Sequence, residues 1–152
     1  DEDAIMGLWQ EIKRAEKANA AAPSFATEGS KLSPIHRATQ LQHQAAAQGF
    51  DWPDIEPVMD KLREELLELE QAIAAGDKDA IEDELGDLMF VCVNIARHTK
   101  TNAEMALHRS NQKFVRRFEY VVTQMQESGQ TMNQQQLDQM EEFWQASKAI
   151  VG

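Results

Sequence analysis

Residues 83–96, DELGDLMFVCVNIA, limit the possible folds more than any other stretch, because acidic side chains stand at the head of an almost wholly apolar run. The run predicts a helix that is buried on most sides. Cys92, the only cysteine in the sequence, lies within it, and we expect its thiol to be buried as a small hydrophobic group. The presence of the acidic residues Glu84 and Asp87 in a buried helix requires a physical explanation.

Length and charge exclude several classes of protein. A chain of 152 residues suits one domain with its own core. The longest apolar stretch, residues 88–96, is too short to cross a bilayer, and no basic segment leads into a hydrophobic signal, so we expect a cytoplasmic location. A net charge of -11 repels nucleic acid and anionic membranes but suits acids that hold cations. We therefore expect neither polymeric nucleic acid nor a membrane as a partner.

Apolar residues recur at helical spacing along the chain, which predicts an all-α fold. Turn and capping residues separate the predicted helices. The first two cover about residues 3–19 and 34–48, and the last covers about 134–151. Between them, a third starts within FDWPDIEP, residues 50–57, and ends at Gly76, a fourth is capped by Asp77, and a fifth has a capping box of Thr101 and Glu104 and is closed by Gly129. Residues 20–34, AAAPSFATEGSKLSP, resemble a linker. The chain thus divides into an N-terminal helix with its linker, residues 1–33, and a helical domain, residues 34–152.

Two pairs of acidic residues are spaced so that their side chains can lie close together in the folded chain. Glu65 and Glu68 stand three residues apart on one predicted helix, and Glu84 and Asp87 stand three apart on the next, so each pair shares a helix face. If the chain reverses around Gly76, the midpoints of the two pairs lie equally far from the turn. We therefore expect four carboxylates at one level of a helical hairpin.

Such a cluster needs positive charge, because each desolvated carboxylate is costly and its neighbours repel it. Hard divalent cations prefer carboxylate oxygens, so we predict that Mg²⁺, or alternatively Mn²⁺, binds the four acids. A solvated charged face would explain residues 64–70, EELLELE, but not the acids that head the apolar run. A ferritin-like di-iron site would need Glu-x-x-His motifs, which neither acid pair offers.

Two basic residues indicate the kind of ligand. Lys113 and Arg117 lie one helical turn apart in NQKFVRRF, residues 111–118. Counting residues from the turn near Lys100 places them level with the carboxylates. A metal-binding cluster beside a lysine and an arginine predicts a polyphosphate site, since arginine grips phosphate oxygens with two parallel hydrogen bonds.

The motifs resemble a known enzyme family. EELLE, residues 64–68, and ELGD, residues 84–87, are similar to the EExxE and ExxD motifs of the MazG-type nucleoside triphosphate pyrophosphohydrolases, all-α relatives of dimeric dUTPases. The resemblance covers about residues 34–150 and is to the C-terminal, catalytic half of two-domain MazG proteins. Residues 8–17, LWQEIKRAEK, resemble the tail of that family's N-terminal half. It implies that residues 1–33 are the tail of a preceding domain.

The resemblance implies an activity and roles for single residues. The expected reaction is Mg²⁺-dependent hydrolysis of nucleoside triphosphates, ATP among them, to the monophosphate and pyrophosphate, with little choice between bases. Glu64 would support the site or orient water. The other positions that fall on the family's site are the metal ligands Glu65, Glu68, Glu84 and Asp87 and the nucleotide contacts Lys61, Lys113, Arg117 and Trp144. Gln40 and His43 stand where members of the family often have lysines, which weakens any prediction of base contacts from that helix.

We further expect a homodimer, because a two-layer helical hairpin is too thin to cover the apolar run. The alternative to the enzyme is a helical nucleotide-binding or protein-interaction module with weak or no catalysis. Loss of a motif acid or of a phosphate-side base would favour that alternative, and the sequence retains all of them.

Overall fold

The computed structural model describes residues 1–19 and 31–152, with the side chains of residues 15–19 left out, so most of the predicted linker lies outside the described residues. The described part contains no β-strand, which confirms the all-α prediction. None of its helices is long and apolar enough to span a bilayer. The helices are α1 (Glu2–Asn19), α2 (Pro34–Ala47), α3 (Ile55–Ala75), α4 (Lys78–His98), α5 (Ala103–Glu127) and α6 (Leu137–Ile150), with a 3-10 turn at Gln134–Gln136.

The chain folds as two compact units, Asp1–Ala103 and Glu104–Gly152. Within the first, α3 and α4 form a hairpin and make the most extensive helix contact, and α2 packs against α4. The predicted domain boundary between residues 33 and 34 stays a prediction.

Capping residues fix the ends of the hairpin helices. The Asp54 side chain accepts a hydrogen bond from the Glu56 amide at the start of α3. Gly76 then ends α3 with φ +69°, a left-handed conformation that glycine adopts without steric cost. The Asp77 side chain accepts hydrogen bonds from the amides of Asp79 and Ala80 and so starts α4 at once. The chain therefore reverses at residues 76 and 77, as the sequence predicts.

The buried apolar residues of the first unit come from α3 and from the second half of α4. They are Val58, Leu69, Ala72, Val91, Val93 and Ala96. Gln42 of α2 is buried with them and donates from Nε2 to the Phe90 carbonyl at 2.9 Å.

The prediction that residues 83–96 of α4 are buried on most sides is wrong. Leu85, Met89 and Phe90 are exposed, and so is Cys92, whose thiol we expected to be buried. A helix that contacts two neighbours buries only part of its circumference, and α2 and α3 cover the second half of α4 better than the first.

In the second unit, Val121 and Met125 of α5 are buried. The ring of Phe114 lies 5.4 Å, between centroids, from that of Trp144 on α6. Arg116 donates from Nε to the Val151 carbonyl at 3.3 Å. These contacts join α5, which carries Lys113 and Arg117, to α6 and to the residue after it.

Candidate active site

The hairpin brings three of the predicted metal ligands together. One carboxylate oxygen each from Glu65 of α3 and from Glu84 and Asp87 of α4 lie within 4.8 Å of one another. Glu65 is only 4% exposed, Glu84 is half-buried and Asp87 is exposed. The cluster thus runs from the interior of the hairpin to its surface.

The fourth predicted ligand, Glu68, lies beside this group and is half-buried. Its negative charge contributes to the raised pKa of Glu84. All four predicted ligands therefore interact, although only three of them form the tight group.

Crowding changes the acidity of the cluster. Burial, followed by the neighbouring carboxylates of Glu68 and Glu65, raises the pKa of Glu84 to about 7. Burial and the negative charges of Asp83 and Glu65 raise the pKa of Asp87. Both α4 acids hold a proton more tightly than free carboxyl groups do, because burial and the neighbouring negative charges disfavour their charged forms.

One positive charge is present in the cluster. Nζ of Lys61 lies 3.1 Å from Oε1 of Glu65 and 3.2 Å from Oε1 of Glu64. Burial alone would raise the pKa of Glu65, but hydrogen bonds with Lys61 and Glu68 outweigh it and lower the pKa. The resemblance assigns Lys61 to substrate binding and Glu64 to catalysis. Lys61 is therefore paired both with Glu64 and with the predicted metal ligand Glu65.

Two oxygens of the cluster are left without a partner. Oε2 of Glu65 and Oε2 of Glu84 are buried and have no hydrogen-bond donor in the described residues. Buried carboxylate oxygens are ordinarily satisfied, and each unmet one is costly. Carboxylate oxygens are the ligands that Mg²⁺ prefers, so the residues present fit a hard divalent cation.

The predicted phosphate-side residues lie in the second unit. Lys113 and Arg117 are both half-buried on α5. Arg117 donates from Nε to the Gly152 carbonyl at 3.2 Å, and its guanidinium carbon lies 5.8 Å from the centre of the Trp144 ring. Trp144 thus packs against Phe114 on α5 and lies near Arg117. That these residues approach the carboxylates stays a prediction.

The structure also contains a cavity that the sequence pattern does not predict. It measures about 500 Å³, and its walls are aromatic and aliphatic side chains with a few polar groups; the residues are Leu41, Gln42, Ala45, Gly49, Phe50, Asp51, Trp52, Phe90, Asn94 and Arg97. The cluster of aromatic residues after α2, in GFDW at 49–52, is the sequence signal that could have indicated it.

An ion-pair network holds one rim of this cavity. Arg97 donates to both carboxylate oxygens of Asp51 at 2.7 Å and to Oδ1 of Asn94 at 2.8 Å. Nε2 of His98 lies 3.0 Å from Oδ1 of Asp51. Hydrogen bonds from Arg97, and then the one with His98, hold the pKa of Asp51 well below its usual range against the effect of burial. The network ties the loop after α2 to the end of α4.

The segment from the cap of α3 into α5 matches a known domain family. Residues 54–122 match the MazG nucleotide pyrophosphohydrolase domain. This MazG match contains the whole carboxylate cluster and also Lys113 and Arg117. Gln42, the aromatic residues at 50 and 52, and Trp144 lie outside it.

Similarity to full-length proteins extends beyond the MazG match. The chain is 40% identical over 147 residues to a nucleoside triphosphate pyrophosphohydrolase of Escherichia coli K12, covering 95% of this chain and 56% of that protein. It is 31% identical over 140 residues to the nucleoside triphosphate pyrophosphohydrolase/pyrophosphatase MazG of Thermotoga maritima, covering 92% and 54%. It is also 33% identical over 149 residues to the uncharacterized protein YabN of Bacillus subtilis, covering 97% and 30%. The chain thus spans about half the length, or less, of these curated relatives.

Proposed function

We propose that this chain is a Mg²⁺-dependent nucleoside triphosphate pyrophosphohydrolase with broad base specificity. The observation that carries the proposal is the cluster of Glu65, Glu84 and Asp87, in which two buried carboxylate oxygens have no donor in the part of the chain that the structure describes. Homologues that carry the name of this activity support it.

In the proposed reaction, a water oxygen bonds to the α-phosphorus, the bond from that phosphorus to the α–β bridging oxygen breaks, and pyrophosphate leaves. Glu65, Glu68, Glu84 and Asp87 would hold Mg²⁺. When bound, Mg²⁺ supplies positive charge that polarises the triphosphate and acidifies water.

The chain's own side chains bind and orient the substrate in this proposal. Lys113 and Arg117 bind phosphate oxygens, and Trp144, whose ring lies 5.8 Å from the Arg117 guanidinium, limits the orientations of that side chain. Lys61 lies within hydrogen-bond distance of both Glu64 and Glu65, and in the proposed reaction it turns from them toward a phosphate oxygen. Glu64, 55% exposed, is free to orient water once Lys61 turns away.

We also propose that two copies of the chain form a homodimer in the cytoplasm. Large apolar side chains of α3 and α4 lie at the surface, with exposed fractions from 42% for Phe90 to 57% for Ile73. Large exposed apolar residues along two adjacent helices are typical of an interface rather than of a monomer's surface.

The test is hydrolysis of each common ribo- and deoxyribonucleoside triphosphate with Mg²⁺, with products separated by chromatography. We expect monophosphate plus pyrophosphate, abolished by EDTA and by Glu84→Gln. The matched control is Glu82→Gln, an exposed glutamate two residues away on the same helix, which should retain activity. Diphosphate plus phosphate would contradict attack at the α-phosphorus, and binding without turnover would favour the nucleotide-binding module.

A further inference from the structure

The α3–α4 hairpin is closed at both ends, but by different means. At one end, Gly76 and Asp77 form the covalent turn. At the opposite end, where α3 begins and α4 ends, the two helices have no turn between them. There the ion pair of Asp51 with Arg97 joins the loop before α3 to the last turn of α4.

The ion pair is built to restrict movement. Nη1 and Nη2 of Arg97 donate to the two carboxylate oxygens of Asp51, each at 2.7 Å, and such a bidentate pair fixes angles as well as distance. Nη2 also donates to Oδ1 of Asn94, which is buried, so α4 itself holds the guanidinium in place. The side chains of Arg97 and Asp51 are only 11% and 24% exposed, which limits screening by water and salt.

The carboxylate cluster lies midway between the two closures. Asp87 follows Asp77, the cap of α4, by ten residues and precedes Arg97 by ten. With a rise of 1.5 Å per residue, it lies about 15 Å along the helix axis from each. The position of Glu65 on α3 relative to Asp87 on α4 therefore depends on both ends of the hairpin, and the turn fixes only one of them.

A packed core connects the ion pair to the cluster. Val58 of α3 and Val91 and Ala96 of α4 lie in this half of the hairpin, and each is 9% exposed or less. Close-packed interiors transmit a displacement and do not absorb it by compression. A shift of α3 against α4 at the ion pair would therefore reach the carboxylates. Mg²⁺ requires nearly ideal octahedral geometry, so small displacements of its ligands lower its affinity.

We propose that Asp51 is a positioning residue for the metal site and that it acts through Arg97. The ion pair keeps α3 from sliding along α4 or separating from it, so that the carboxylate of Glu65 stays beside those of Glu84 and Asp87. The inference rests on the proposed function, because it takes these three carboxylates to be metal ligands.

A long-range effect of charge is the competing explanation, and it predicts opposite results for the two partners. Asp51→Asn removes a negative charge and would weaken the attraction of a cation, whereas Arg97→Met removes a positive charge and would strengthen it. Loss of positioning predicts weaker binding of the cation in both variants. The direction of the change in Arg97→Met therefore separates the two explanations.

The experiment measures binding of Mn²⁺ to the chain without nucleotide. Free aqueous Mn²⁺ gives a strong electron paramagnetic resonance signal that is lost on binding, so a titration yields Kd directly. We expect Asp51→Asn and Arg97→Met each to raise Kd about five- to tenfold, below the range of about ten- to hundredfold typical of residues that contact a metal ligand. The double variant should bind no more weakly than the weaker single variant, because one ion pair is lost in each. Circular dichroism selects a temperature at which all variants are folded.

Three further variants serve as controls. Asp60→Asn removes a negative charge from an exposed pair on α3, closer in sequence to Glu65 than Asp51 is, and should change Kd less than about twofold. Glu84→Gln should abolish binding and so locates the site. Arg97→Lys keeps the charge but not the bidentate geometry, and its Kd should lie between those of wild type and Arg97→Met. It decides the question alone if the other Asp51 and Arg97 variants fail to fold.

The outcomes separate this inference from the proposed function. Wild-type affinity for Mn²⁺ in the ion-pair variants would overturn it and assign the pair to stability alone, even if their melting temperatures fall. Tighter binding by Arg97→Met would assign the effect to charge and would also overturn it. No binding by wild type, or binding that survives Glu84→Gln, would refute the metal site and the inference with it. The expected pattern of Kd in a chain that releases no pyrophosphate would refute only the proposed function.

Discussion

Nζ of Lys61 lies 3.1 Å from Oε1 of Glu65, one turn further along α3, and this pair brings the only positive charge among the contacts described for the carboxylate cluster. Glu65 is almost completely buried, whereas the Lys61 side chain is 35% exposed. Lys61 therefore neutralises the buried carboxylate of Glu65 from the surface of the protein. Its ammonium group can move away from Glu65 and remain hydrated.

Replacement of Lys61 by methionine should destabilise the metal-free protein. Loss of the pair leaves a buried carboxylate without its donor, and we expect the free energy of unfolding to fall by about 1–2 kcal/mol, a value reduced for the exposure of the lysine. Saturating Mg²⁺ should narrow the difference, because the cation replaces the missing charge. Urea unfolding with EDTA and with Mg²⁺ measures both.

Arg63→Met is the control for this prediction. Arg63 pairs with Asp60 at 3.1 Å, but the two side chains are 69% and 79% exposed, so the change should have little effect. Equal destabilisation of both variants, or a Lys61→Met difference that Mg²⁺ leaves unchanged, would show that Lys61 does not balance the cluster.

The Asp51–Arg97 pair predicts a specific dependence of stability on pH. The pKa of Asp51 is lower in the folded chain than its ordinary value of 3.8, so the carboxylate contributes stability that is complete well above pH 3.8 and is lost as pH falls below it. Asp51→Asn should therefore lower the free energy of unfolding by about 2–3 kcal/mol at neutral pH. The gap to wild type should shrink below pH 3.8, as measured by urea unfolding at a series of pH values.

Asp60→Asn removes an exposed aspartate from a surface pair and serves as the comparison. It should cost less than about 0.5 kcal/mol at neutral pH. A gap for Asp51→Asn that widens toward low pH would have the wrong sign and would contradict the assignment.

Arg117 and its neighbour Arg116 allow a matched test of phosphate binding. Each donates from Nε to a carbonyl at the end of the described chain, Arg117 to Gly152 at 3.2 Å and Arg116 to Val151 at 3.3 Å. Arg117→Gln should lower kcat/KM for ATP about a hundredfold, because a positive charge on the phosphates is lost, whereas Arg116→Gln should retain most of the activity. Similar losses in both would assign Arg117 to holding the chain end instead.

The exposed apolar face of α4 should determine the oligomeric state. Light scattering at micromolar concentration should report a dimer for wild type. Leu85→Glu combined with Met89→Glu should give a monomer, because charges one turn apart would enter the interface. The volume-conserving swap Leu85→Met with Met89→Leu should remain dimeric. A monomeric wild type would refute the dimer.

The positions of the acids could be predicted from sequence because they depend on local rules. Gly76 and Asp77 specify where the chain reverses, and counting residues from that point brings Glu65 level with Asp87 and Glu68 level with Glu84. The pairing of Lys61 with Glu65 follows from the same local rules, because residues four apart on a helix are neighbours.

Other features depend on contacts between residues that are distant in sequence, and the spacing of apolar residues does not predict such contacts. The cavity exists because Gln42 packs against Phe90, 48 residues later in the chain. Cys92 was expected to be buried because the residues around it are apolar, but exposure depends on which sides of α4 have neighbours. A pattern of apolar residues indicates that one face of a helix can be buried, but it does not indicate which part of the chain packs against that face.

The two-residue turn at Gly76 and Asp77 restricts how the hairpin can vary in length. One residue inserted between Glu68 and the end of α3 would rotate one acid pair by about 100° relative to the other and separate the carboxylates. An insertion would preserve the cluster only if it added about one whole turn to α3 and one whole turn to α4, so that both acid pairs moved equally far from the turn. The segment between Glu68 and Glu84 is therefore a spacer of fixed length, and we expect natural variation there to consist of substitutions, with insertions and deletions confined to other connections.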